Sequence, residues 1–142
     1  MKHQILIIIL ISILSAKDNN QSSYNCKIEY VLVAHKNLNE LTNEIVKDFL
    51  LTFDSTCSNN IEYSEFSNQT LFEVLDSNPQ LFCHVMRAES KIVHYQVIID
   101  ALKAPINDGI PLNEILHKIE NLKPNDKLKM DLVKSLNIAI TK

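Results

Sequence analysis

The chain has a single glycine, Gly109, among 142 residues, and no tryptophan. One glycine excludes phosphate-cradling glycine loops, collagen-like repeats, glycine-dependent hairpins and the Gly-x-Ser-x-Gly hydrolase elbow. No Cys-x-x-Cys or His-Glu-x-x-His occurs, so the usual zinc spacings are missing. Positive charge is also in short supply. Fourteen Lys and Arg against 17 Asp and Glu give a net charge of −3, which argues against nucleic acid as a partner. Of what is present, 46% is apolar and 22% charged, the composition of one globular domain.

The first sixteen residues differ from the rest. Met1-Lys2-His3-Gln4 carries one firm positive charge, Ile5 to Leu14 is aliphatic except for Ser12, and Ser15-Ala16 precedes the polar Lys17-Asp18-Asn19-Asn20. This is the layout of a secretory signal peptide cut after Ala16, although Leu14 is large for its position before the cut. The apolar run is too short to span a ~30 Å hydrocarbon core, and no Cys stands at the cut to take a lipid. The expectation is an exported protein, periplasmic or extracellular, with no stable membrane anchor after cleavage. Loss of Lys2 leaves 13 basic against 17 acidic residues, net −4. Residues 17–25 contain one aromatic and no aliphatic side chain and read as a flexible lead-in. Residues 26–142 read as a single domain.

That domain carries Cys26, Cys57 and Cys83. In an oxidising compartment two of them can pair. Cys26 and Cys57 flank polar, turn-like sequence, whereas Cys83 sits in the apolar Leu81-Phe82-Cys83-His84-Val85-Met86, where a buried free thiol is usual. A Cys26–Cys57 disulfide is therefore favoured over three free thiols.

Helical periodicity dominates from residue 38. Asn37-Leu38-Asn39-Glu40 fits a capping box, and Leu38, Leu41, Ile45, Phe49 and Phe53 follow on one stripe to about Asp54. A second helix is predicted over 64–76 and a third over 79–88, the latter with Asn78 as cap and Pro79 at its first position. Ser90 caps a fourth over 91–103, apolar around most of its circumference and hence central. Pro111 opens a fifth with Leu112, Ile115, Leu116 and Ile119 on one face. The last covers 126–140. Segment 27–35 is rich in β-branched residues, but it has no second strand to pair with, which favours a helix leading into the one at 38. The expected fold is all-α: a compact bundle of five or six short helices around a central apolar helix near 91–103.

Candidate chemistry is thin. Glu114-Ile115-Leu116-His117 has the Glu-x-x-His spacing of di-iron bundles, but there is no second copy and its apolar residues point to the core. Cys83, His84, His94 and His117 are the residues a metal-binding or enzymatic bundle would use. Adjacent Cys83 and His84 diverge by about 100° on a helix and cannot readily share one ion. His94 falls on the apolar arc, where a half-buried histidine usually bonds a carbonyl or hydroxyl. No catalytic, metal or cofactor site is assigned. Asn68-Gln69-Thr70 is a glycosylation sequon on a predicted helix.

Charge is the uneven feature. Glu40, Glu44, Asp48, Asp54, Glu62, Glu65, Glu73 and Asp76 face Lys47 alone across residues 40–80, net −7, whereas residues 117–142 are net +3. Such a segment is either a set of solvated helix faces or an acidic surface that steers a basic protein partner. Glu40, Glu44, Asp48, Glu62, Glu65 and Glu73 are the candidate partner-binding residues. Tyr63 and Phe66 supply either an aromatic anchor or core. The expected function is non-catalytic protein binding, of the size, charge and compartment of an inhibitor or immunity protein.

Overall fold

The described residues, 24–142 of this computed structural model, form seven α-helices and one 3-10 turn joined by loops, with no strand. The predicted leader at 1–16 and residues 17–23 of the lead-in lie outside them. Tyr24, assigned to the lead-in, belongs to the fold. It packs against the core with its ring 4.9 Å from that of Tyr30, and its carbonyl accepts from Lys27 N. No described helix is long and apolar enough to cross a membrane.

The ambiguous segment is helical: α1 spans Ile28–Lys36. Val31 and Ala34 are buried while Leu32 and Val33 face outward, the spacing of a helix and not the alternation of a strand. The next helix does not start at 38. Asn37 closes α1, donating from Nδ2 to Val33 O at 2.7 Å, and Glu40 lies in the turn that follows. There Leu38 and Leu41 pack against the core without being helical, and Ser77 Oγ donates to Leu38 O. α2 (Asn43–Leu51) begins after Thr42, whose Oγ1 accepts from Ile45 N at 3.2 Å. The Asn37 capping box thus loses to a later threonine cap, because the turn already satisfies the apolar stripe.

A 3-10 turn at Ser55–Asn59 follows, capped by Asp54 Oδ1 on Thr56 N at 2.8 Å. It brings Cys57 to Cys26, and the two form the expected disulfide, with Cα atoms 5.4 Å apart across a sequence separation of 31. Cys26 has φ 57°, uncommon for a side-chain-bearing residue. The 52–57 segment holds it twice, through the sulfur and through Cys26 N donating to Thr52 O at 3.0 Å.

α3 (Ile61–Ser77) starts three residues earlier than predicted, because Asn60 Oδ1 accepts from Tyr63 N. It is the longest helix and packs against α1, the 3-10 turn, α4 and α6. α4 (Pro79–Ala88) matches its predicted span, with Asn78 Oδ1 on Leu81 N at 3.0 Å. Within the stretch 91–103 only Tyr95–Ala101, α5, is helical. Ser90 does not cap it; Ile92 N and Val93 N instead donate to Glu89 O in a turn. Val93, Ile98, Ile99 and Leu102 are buried, but Ile92 is exposed and Tyr95 and Val97 are only half-buried. The Tyr95 hydroxyl needs a polar partner and donates to Asp131 Oδ2 at 2.7 Å. This segment therefore leans on α7, and α3 has neighbours on more sides.

α6 (Leu112–Glu120) and α7 (Lys127–Ile140) pack closely on each other. Asp126 caps α7 through Lys129 N and takes two bonds from Arg87 of α4, at 2.7 and 3.2 Å. The Arg87 guanidinium, helped by the cap bond, holds the Asp126 carboxyl down at about 2. One core joins all of these elements: Phe49, Leu50, Leu71, Phe72, Leu75, Phe82, Met86, Ile98, Ile115, Ile119 and Leu132 are buried together.

Candidate acidic groove

Along α1, Ile28 and Leu32 are four residues apart and share a face. Along α3, Glu62, Glu65, Phe66 and Gln69 follow at helical spacing. These two faces and the loop residues Ile106 and Asn107 enclose an open cleft of about 570 Å³. Phe66 is half-buried in it, its ring edge-on to His35 at 5.1 Å. Among the described residues six large apolar side chains are exposed, and two of them line this cleft. They are Leu32 (38%) and Ile106 (51%). Exposed apolar surface at both walls, with Phe66 half-buried between them, marks the cleft as a candidate for binding.

The loop wall is held by one residue. Asn68 is buried, its Nδ2 donating to Ala101 O at 3.1 Å and Ala104 O at 3.3 Å while its Oδ1 accepts from Ile106 N at 3.1 Å. The side chain that the sequon would modify is thus consumed in positioning the 101–106 loop. A glycan on Nδ2 would displace those bonds.

The acidic residues separate into groups. Glu62 and Glu65 are exposed at the rim of the cleft and have no cationic partner among the described residues. Glu73, further along α3, faces His35 Nδ1 at 2.6 Å and accepts from Gln69 Nε2 at 2.8 Å. Glu40 stands exposed in the α1–α2 turn, and Glu44 lines a separate cleft with Lys47, His84 and Glu89. Asp48 is half-buried on α2, and burial raises its carboxyl above the ordinary range. Asp54 is lowered by its Thr56 bonds, and Asp76 pairs with Lys118 at 2.6 Å. Of the six candidate residues, the structure brings Glu62 and Glu65 to the apolar cleft, pairs Glu73 with His35 and leaves Glu40, Glu44 and Asp48 elsewhere.

Tyr63 is core: it is 2% exposed and donates to Thr52 Oγ1 at 2.7 Å. Sequence reasoning missed Leu32, hidden in the ambiguous segment, and Ile106. The available signal for Ile106 was an isolated large apolar residue inside a run of turn formers, Pro105 to Gly109.

The residues of the alternative chemistry do not converge. Cys83 is buried with its thiol pushed up to about 11 by that burial, and His84 and His117 are exposed. His117 lies near Asn121, and Glu114 is exposed beside the cleft against α7. His94, expected to bond a carbonyl or hydroxyl, instead faces the Asp54 carboxylate at 3.4 Å among the described residues. No three His, Cys, Asp or Glu side chains among the described residues are placed to hold a metal ion. Compared with known protein families, curated proteins and solved structures, the chain matches none.

Proposed function

We propose that this chain is an exported, non-catalytic protein that binds a basic protein partner through the α1–α3 groove. The observation that carries the reading is the pair Glu62 and Glu65, exposed and unpaired among the described residues, at the rim of an apolar cleft beside Leu32, Phe66 and Ile106. Uncompensated carboxylates raise encounter rates with a cationic surface. Apolar side chains beside them then supply the desolvated contact that holds the complex. The leader pattern and the Cys26–Cys57 disulfide support an oxidising destination. A small binder of this kind acts by occupying its partner, as an inhibitor or immunity protein does.

Affinity capture from the exporting cell with residues 17–142 as bait supplies the partner, and mass spectrometry of the native protein supplies its start. A mature chain beginning near Lys17 is expected; an intact Met1 in membranes would overturn the export. With the partner in hand, Glu62→Lys/Glu65→Lys should slow association by about tenfold at low salt and flatten its salt dependence. An unchanged rate would refute the acidic groove as the binding surface.

A further inference from the structure

We infer that the groove receives a cationic amphipathic helix, not an extended segment. The inference rests on the reading of the groove as a partner site and adds the conformation and residue pattern of what enters it.

The argument is one of donors and acceptors. An extended peptide brings a row of backbone N–H and C=O groups, and those turned into the groove must be met, which is why many such peptides add to sheet edges. No strand exists among the described residues, so there is no edge to extend. The polar side chains of the groove cannot substitute for one. Glu62 and Glu65 offer only acceptors. Gln69 gives one of its two Nε2 N–H groups to Glu73, and Asn107 Oδ1 accepts from Gly109 N. The second N–H of Gln69 and the Asn107 amide nitrogen are the side-chain donors left among these four. A helix needs nothing from the groove for its backbone, since its own turns satisfy it. Its side chains can supply what an acceptor-rich, apolar-floored cleft lacks: cationic donors and aliphatic surface.

The geometry also orients the charge. Glu62 and Glu65 lie three positions apart on α3, about 4.5 Å along its axis, and nothing acidic lines the groove from α1. Lys or Arg side chains one turn apart on the α3-facing flank therefore meet both carboxylates. Aliphatic residues at i and i+4 fill the space between Leu32, Phe66 and Ile106.

Synthetic peptides of about 18 residues, five helical turns, test this directly. One places Leu and Lys at helical spacing, a second alternates the same residues with period two, and a third carries Leu and Glu at helical spacing. Binding is read by fluorescence anisotropy, and the site by amide shifts at Leu32 and Ile106. The helical Leu/Lys peptide should bind and shift those amides. The alternating and Leu/Glu peptides should bind at least about tenfold more weakly. Glu62→Lys/Glu65→Lys should weaken the helical peptide by about tenfold, while Glu40→Lys/Glu44→Lys, an equal change of charge outside the groove, should not. An alternating peptide that binds as tightly, and is lost in Glu62→Lys/Glu65→Lys, overturns the helix inference and leaves the groove reading standing. Equal sensitivity to both charge reversals, or no binding, overturns both. Concentration-dependent self-association of the chain alone, abolished by Glu62→Lys/Glu65→Lys, would make the occupant a second copy and overturn the helix inference.

Discussion

Replacing Asn68 by alanine should detach the loop that forms one wall of the groove. The side chain makes three bonds, to Ala101 O, Ala104 O and Ile106 N, at 3.1 to 3.3 Å. Each such bond contributes about 1 kcal/mol net. Ala104 and Ile106 are exposed, so the freed backbone groups there regain water and the cost stays below that of three buried orphans. A loss of about 2–3 kcal/mol follows, and a fall in Tm of about 8–12 °C for a domain of this length. Urea denaturation gives the first number and thermal melting the second. Hydrogen exchange should show the Ile106 amide losing protection while the amides of α3 keep theirs, since the defect is local. Asn68→Asp separates the three bonds further. It keeps an acceptor for Ile106 N but turns a carboxylate toward two carbonyls, so at pH 7 it should cost at least as much as alanine. Acidification should ease that cost as the carboxyl gains a proton it can donate. If Asn68→Ala stays within about 0.5 kcal/mol of the parent, and the Ile106 amide exchanges as before, the loop is held by its apolar contacts and the argument fails.

Thr70 and Ser135 are buried and their hydroxyls have no partner among the described residues; Thr70→Val and Ser135→Ala should therefore be neutral to stabilising, by up to about 1–2 kcal/mol in urea titration, and a clear loss would mean that the hydroxyls are bonded in solution. Cys26→Ser/Cys57→Ser removes a link across a sequence separation of 31 and should cost about 3.7 kcal/mol on the loop-closure account, with far-UV circular dichroism still helical; an unchanged urea midpoint would sink it. Asp126 at about 2, with Asp54, Asp100 and Asp131 also lowered, has a folded-state value below the unfolded one, so its contribution is full above the ordinary aspartate range and drains away as pH falls toward 2. Arg87→Met, which removes the largest cause of the Asp126 shift, should flatten that acid limb, and a limb of unchanged slope would refute the assignment.

Much of the local structure was legible because its causes are local. Pro79 behind Asn78 gives α4 its start, Pro111 and Asp126 open α6 and α7, and the rows Ile115–Ile119 and Leu128–Leu132–Leu136 turn inward as their spacing requires. Helical periodicity and the want of a second strand foretell that the described residues hold helices and no strand, and the polar context of Cys26 and Cys57 against the apolar context of Cys83 foretells which thiols pair. Tertiary contacts decided the rest. Asn37 could cap a helix, but the chain turns there because Leu38 and Leu41 bury themselves without helical backbone. The arc at 91–103 could have been a central helix, but Tyr95 needs Asp131 for its hydroxyl and half the segment becomes turn. The run of acids reads as one surface only in one dimension. Folded, Asp54, Glu73 and Asp76 find partners, Glu40 and Glu44 lie apart from the cleft, and Glu62 and Glu65 meet Leu32 and Ile106, which lie 30 and more residues away along the chain. Charge and apolar periodicity are properties of neighbours in sequence, whereas a groove is a property of neighbours in space.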